Sequence, residues 1–331
     1  MLTTRFTDLV GCTVPIQQAG MGRLAGPDLA TAVANAGGLG QISIGEKPDP
    51  DWIARMLDQT RQRTNGILGA NVLGPDPADE RDRQCIAAAA SCVRVVDCFW
   101  ADPDPTIVKT IHAGGALASW QVGSLEEAVA AERAGCDFII AQGIEAGGHV
   151  RGHIGLLALL EQVLSVVRVP VLAAGGIGSG RAMAAALAAG AAGVRVGTRF
   201  VAAQESHAHP LYVQALIAAR PEDTVYTEAF SYGWEHAPHR VLRSSVEAAE
   251  AYQGDIVARR FDAEDNRWVE KHRFQSVSVT DEYTGAIEAM PFWAGESVAA
   301  VTRIQPAGDI VRELTDEAER LLRVPDHESP A

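Results

Sequence analysis

The stretch 169-VPVLAAGGIGSGRAMAAALAAGAAGVRVGTRF-200 holds two short apolar runs, 169-VPVLAAGG-176 and 193-GVRVGTRF-200, joined by a helical segment. Runs that are apolar on both faces are what buried parallel strands look like. The intervening 179-SGRAMAAALAAG-190 opens with a Ser able to cap a helix and closes at Gly190. Strand, glycine-rich turn, helix and strand in succession form one unit of a parallel α/β sheet.

The same unit repeats back along the chain. Further apolar runs lie at 14-VPIQQAGM-21, 38-GLGQISI-44, 67-ILGANVLG-74, 93-VRVVDCFW-100, 116-ALASWQV-122 and 138-FIIAQG-143, which makes eight from Val14 to Phe200. The segments between them carry helix punctuation. Pro27 suits a first helical position and Gly37 and Gly38 follow that helix; 105-PTIVKTIHA-113 runs from Pro to Gly114; Ser124 and Glu127 form a capping-box pattern, closed at Gly135. Eight units predict a closed (β/α)8 TIM barrel rather than an open doubly wound sheet.

The 331 residues exceed the ~250 of a bare barrel. The expected organisation is barrel strands and helices over 1–205, a helical and loop extension packed on the barrel mouth over 206–305, and a closing helix within 306–331. The charged run 258-ARRFDAEDNRWVEKHRF-274 belongs to the extension. Trp268, Phe274 and 290-MPFWAG-295 argue against a disordered linker there. Apolar residues at helical spacing in 308-GDIVRELTDEAERLLRV-324 predict an amphipathic helix, with the last few residues frayed.

Composition narrows the function. At 47% hydrophobic the chain can bury a sizeable core, and no run approaches the ~20 apolar residues of a membrane span. A net charge of -14 disfavours nucleic-acid binding. The start, MLTTRFTDLV, has no basic-then-apolar signal region, so a cytoplasmic location is expected. Five cysteines without a C-x-x-C pair give neither a disulfide framework nor a zinc site. No metal is expected, and a homodimer is left open.

In such barrels chemistry gathers at the C-terminal ends of the strands, often with a phosphate site after strands 7 and 8. The turns 173-AAGGIGSGR-181 and 195-RVGTRF-200 lie there, and glycine lets backbone N–H groups approach an anion. A dinucleotide fingerprint fails, because Arg181 stands where the third Gly of Gly176-x-Gly178 should be. Gln18, Asn71, Gln121 and Gln142 sit late in apolar strands, and buried amides need partners. Four at one rim suggest a flat ligand rich in hydrogen-bonding edges, such as an isoalloxazine. After strand 6, 141-AQGIEAGGHVRGH-153 offers Gly147 and Gly148 for a sharp turn. His149 can then project over the mouth as a group able to exchange a proton near neutral pH. Glu145 could orient the loop or the ring.

The pieces 15-PIQQAGM-21, 37-GGLGQIS-43, 69-GANVLG-74, 141-AQGIEAGGH-149, 173-AAGGIGSGR-181 and 195-RVGTRF-200 occur in the order found in the nitronate monooxygenases, formerly called 2-nitropropane dioxygenases, which this chain resembles over residues 10–205. The C-terminal 290-MPFWAGESVAAV-301 is similar with lower specificity. The resemblance implies FMN in a TIM barrel and oxidation of alkyl nitronates by O2 through one-electron transfer to flavin, with no nicotinamide cofactor needed in turnover. His149 would be catalytic base or charge partner of the nitronate. Flavin contacts would fall on Gln18, Met21, Asn71, Gln142, Gly147, Gly148, Gly175, Gly176, Gly197 and Thr198, the last four at the phosphate. Departures are Gly20 before Met21 in place of Pro, Phe99-Trp100 in place of an aromatic-Gly pair, the bulky Trp120, and the charged run from Ala258. The alternative on the same barrel is an FMN-dependent enoyl-thioester (enoyl-ACP) reductase drawing hydride from NADH or NADPH. A flavin-free sugar-phosphate enzyme and a non-catalytic flavin-binding scaffold are further readings.

Overall fold

The computed structural model describes residues 2–44, 49–263 and 266–323. A short helix α1 (Arg5–Val10) precedes alternating strands and helices. These are β1 (Ile16–Gln18), α2 (Pro27–Asn35), β2 (Leu39–Ser43), α3 (Pro50–Arg61), β3 (Ile67–Leu73), α4 (Glu80–Ala90), β4 (Val95–Phe99), α5 (Pro105–Ala113), β5 (Leu117–Val122), α6 (Leu125–Ala134) and β6 (Phe138–Gln142). After the two-residue strand β7 (Gly148–His149) come α7 (Leu156–Val166), β8 (Val171–Ala174), α8 (Gly180–Ala188), β9 (Gly193–Val196) and α9 (Thr198–Val201). Eight parallel strands close in the order β1-β2-β3-β4-β5-β6-β8-β9, with β9 pairing back onto β1. Each of the eight expected runs supplies one of these strands.

Local chemistry fixes the helix starts. Asp49 and Asp104 accept backbone N–H groups ahead of Pro50 and Pro105, and Ser179 accepts from Ala182. At α6 the expected capping box is half made. Ser124 accepts from the Glu127 N–H, but the Glu127 carboxylate turns away to accept from Gly123 N at 2.7 Å and to pair with Arg151. Arg151 out-competes the N-cap amide because it brings a full charge.

The barrel is closed below by α1, whose Phe6 and Val10 pack against Leu39, Val95, Phe138 and Leu172 at the N-terminal ends of the strands. That plug leaves the opposite end for a site. A separate core joins sheet and helices; Trp120 belongs to it, 1% exposed, with its indole N–H on Ala101 O at 2.9 Å.

The segment 206–305 differs from the helices and loops expected. It does hold α10 (Pro210–Ala218) and α11 (Arg243–Ala251), but also β10 (Thr224–Thr227), β11 (His239–Leu242), β12 (Ile256–Asp262), β13 (Arg267–His272) and β14 (Thr284–Gly285). These form two three-stranded sheets, β10-β11-β7 and β13-β12-β14. The charged run is therefore an antiparallel hairpin, with Arg260 opposite Val269 and Phe261 opposite Trp268. Its residues 264 and 265 lie outside the description. Tyr212, Phe230, Val241, Phe292 and Val301 give this segment a core continuous with Leu24 and Val201 of the barrel end. Helix α12 (Ala307–Leu322) then packs Ile310, Leu314 and Ala318 inward beside α8 and α2. The frayed end expected beyond it, 324–331, lies outside the described residues. Among the described residues, no helix is long and apolar enough to cross a membrane.

Candidate active site

The strand ends and the extension enclose a cavity of about 1150 Å³. Asn71, Gln121, Gln142, Gly147, Gly148, His149, Gly175, Gly176, Gly197, Thr198 and Met21 all line it, so the structure gathers these expected site residues in one place. Gln18 does not join them. Its carboxamide is fully buried between β1 and β2, where it donates to Gln41 O at 3.0 Å and accepts from Gln41 N at 3.1 Å. It completes the sheet at a register where β1 and β2 share a single pair.

The floor of the cavity is a buried charge pair. Arg195 Nη1 meets Asp97 at 2.5 Å, and Asn71 Nδ2 donates to the same carboxylate at 2.8 Å. Asp97 is fully buried, and its other oxygen accepts from Ser119 at 3.3 Å. Held on three sides by donors, this buried carboxylate stiffens the floor. Two polar atoms on the cavity wall, Gln142 Oε1 and Ser43 Oγ, are buried without a protein partner. Such atoms carry a desolvation cost of about 1–3 kcal/mol each until something meets them.

The glycine turns have the shape anticipated. Gly175 and Gly176 follow β8 at φ 105° and 68°, a region closed to most side chains. A Cβ on Gly175 would also come within 3.1 Å of Ala146 N and Gly143 O. Across the β9 end, Thr198 Oγ1 accepts from Gly295 N at 2.9 Å, tying this turn to the extension.

His149 is positioned by pairing. β7 lies antiparallel to β11, which sets His149 opposite His239. Its backbone oxygen accepts from Gln142 Nε2 at 2.9 Å. Its ring stacks on Trp234 with centroids 4.1 Å apart, tilts against Trp293 at 5.3 Å and meets the edge of Trp100 at 5.3 Å. Ser276 Oγ lies 3.4 Å from Nε2. Burial, with a smaller contribution from His239, pushes the His149 pKa down to about 3, so the ring is neutral at pH 7. His239 is itself depressed by burial; its Nε2 accepts from Phe230 N, so its proton sits on Nδ1, facing Ala237 O.

Glu145 serves the loop and not the ring. Its carboxylate accepts from Leu156 N at 2.9 and 3.0 Å, capping α7, whose N-cap Gly155 has no side chain to do so. Trp100 adopts φ 64°, which explains why glycine suits that place; the indole is kept there by Phe99, His149 and Trp234. It backs the imidazole, while Phe99 is the member of the pair that lines the cavity. Sequence reasoning missed Trp234, His239 and Ser276. Trp234 and His239 reach His149 with the pairing of β7 and β11, Ser276 comes from the segment after β13, and no local pattern marks any of them.

Residues 3–317 match the sequence model of the nitronate monooxygenase family. A probable nitronate monooxygenase of Staphylococcus aureus (strain MSSA476) is 28% identical, over 96% of this chain and 98% of the relative. Among solved structures, FabK from Thermotoga maritima is similar with a TM-score of 0.79 at 30% identity, covering 97% of this chain and 98% of that one. A nitroalkane oxidase from Streptomyces ansochromogenes gives a TM-score of 0.75 at 30% identity, over 96% and 99% of the two chains.

Proposed function

The chain belongs to the nitronate monooxygenase family and is a flavin-dependent oxidoreductase; from that premise we propose that it binds FMN and oxidises alkyl nitronates with O2 to a carbonyl compound and nitrite. The observation that carries this reading is a neutral, desolvated imidazole at the same cavity as two glycine turns and two buried polar atoms without protein partners, Gln142 Oε1 and Ser43 Oγ.

The residues present fit FMN. The turns at Gly175, Gly176, Gly197 and Thr198 offer backbone N–H groups to a phosphate. Gln142 Oε1 and Ser43 Oγ await donors, and Asn71 and Gln121 add polar edges at the same rim. Bound there, FMN supplies the electron transfer to O2 that no side chain can perform.

The protein's own part is electrostatic. An imidazole with a pKa near 3 is a weak base, poorly matched to removing a carbon-bound proton. An anion arriving beside it favours the protonated form and raises that pKa. In this reading a proton from solvent reaches His149 as the nitronate binds, and the anion's charge holds the imidazolium against the burial that otherwise disfavours it. This favours nitronate anions over neutral nitroalkanes. In an oxygen electrode, FMN-loaded protein is expected to consume O2 faster with ethyl nitronate than with nitroethane at equal concentration. His149→Ala should keep its flavin and lose roughly 100-fold in kcat/KM on the nitronate. Equal rates for variant and parent on the nitronate would defeat the assignment. Enoyl-thioester reduction is the second reading, and bleaching of the flavin by NADH in anaerobic mixing would favour it.

A further inference from the structure

The cavity has a second arm that the nitronate chemistry does not use. Trp52 and Met56 on α3, Asp82, Cys85 and Ile86 on α4, Leu73 at the end of β3 and Gly74 after it all line it. In the ring of eight strands β3 stands diametrically across from β8, so this arm lies opposite the turn at Gly175 and Gly176. Over the same cavity hangs the β12–β13 hairpin. The residues it contributes are Arg260, Asp262, Arg267, Val269 and Lys271, which alternate along the two strands and share one face. The residues between them, Arg259, Phe261, Trp268 and Glu270, lie on the other face, where Arg259 stacks over Trp268 at 4.5 Å and Phe261 and Trp268 are exposed.

Charge on the inner face runs against the rest of the molecule. The chain carries -14 overall. The arm gathers two guanidinium groups and an ammonium against two carboxylates, Asp82 and Asp262. Lys271 is 7% exposed and Arg260 is braced by Asp262 at 3.2 Å. Arg260 Nε is shielded from water and donates to nothing in the protein. Cations already held in place by neighbours and turned to a cavity lose little freedom when an anion arrives. Arginine forks match the oxygens of a phosphate, which takes more donors than a carboxylate does. The same cavity is also lined by apolar and aromatic side chains, Trp52, Met56 and Ile86 among them, with Trp52 43% exposed.

We propose that this arm binds a second ligand, an organic phosphate, with its phosphate against Arg260, Arg267 and Lys271 and its apolar or aromatic body against Trp52, Met56 and Ile86. The proposal builds on the reading above only in assigning the opposite arm to FMN. In terms of that reading, the physiological substrate carries a phosphate remote from its oxidisable carbon.

The test is calorimetric titration of FMN-saturated protein with pyrophosphate, ADP and octyl phosphate, with octanoate as the carboxylate control. One molecule of each phosphate is expected to bind, and octanoate at least tenfold more weakly than octyl phosphate. Arg260→Gln/Arg267→Gln should weaken all three phosphates at least tenfold while the visible flavin spectrum and the melting temperature stay unchanged. Trp52→Ala should weaken ADP and leave pyrophosphate alone. If none of the phosphates binds, if octanoate binds as tightly as octyl phosphate, or if the double variant binds like the parent, the proposal is overturned. Protein that takes up FMN and oxidises nitronate yet ignores phosphates would lose this inference alone. Protein that refuses FMN but shows the difference between parent and double variant would lose the function and keep the arm.

Discussion

The two sides of the cavity are built from opposite materials. The β8 and β9 ends are backbone, with Gly175 and Gly176 in left-handed conformations and Gly197 at the neighbouring turn. The roof over His149 is side chain, three tryptophans drawn from β4's end, the β10–β11 loop and the segment before α12. A site made of backbone tolerates no added atoms, because shape is its chemistry. A roof made of rings tolerates trimming but changes its dielectric when trimmed. On the proposed reading, the contrast predicts that cofactor affinity and proton affinity depend on different residues and are separable by mutation.

The largest expected effect tests the backbone side. Gly175→Val puts a branched side chain at φ 105° and its Cβ within 3.1 Å of two backbone atoms. FMN affinity should fall more than about 100-fold, roughly 3 kcal/mol, by flavin fluorescence titration. Unchanged affinity would show that this turn does not touch the phosphate.

Trimming the roof should act on the proton instead. Trp234→Ala lets water reach His149, so its pKa rises from about 3 toward the ordinary 6.5 while FMN is retained. NMR titration of the imidazole reads this directly. The linkage follows in sign. In the parent the unfolded chain protonates at position 149 below about pH 6.5 and the native state does not, so this group's contribution to stability is whole above pH 6.5 and lost as pH falls toward 3. Melting temperature should therefore fall less steeply with acid in Trp234→Ala than in the parent. A titration that stays near 3 would assign the depression to groups other than Trp234.

The smallest effect lies between the two sides. Glu145→Gln weakens the cap on α7 at Leu156 N, and about 1 kcal/mol of stability should go with it. Flavin affinity and the His149 titration should hold, since the carboxylate does not reach the ring. Thermal unfolding and fluorescence titration check the two halves.

This division also marks what was legible in the chain. Strands buried on both faces announce themselves as apolar runs, and glycine turns are visible as letters, so the barrel and the backbone half of the cavity could be read directly. Gln18 was misplaced because a late-strand amide can satisfy a sheet edge as well as a ligand, and only the single β1–β2 pair reveals which. The β12–β13 hairpin escaped notice because its alternation is inverted. It turns Arg260, Asp262, Arg267 and Lys271 inward and leaves Phe261 and Trp268 exposed, so no apolar stripe of period two appears. Trp234 and His239 meet His149 only through the β7–β11 pairing, which no local pattern encodes.

The most direct measurement is the visible absorption of purified protein after dialysis against FMN. A cavity with two glycine turns and the unpartnered Gln142 Oε1 and Ser43 Oγ on its wall should retain one flavin per chain and its yellow bands, lost in Gly175→Val and kept in His149→Ala. Protein that stays colourless after saturation with FMN would contradict the flavin site and the nitronate chemistry built on it.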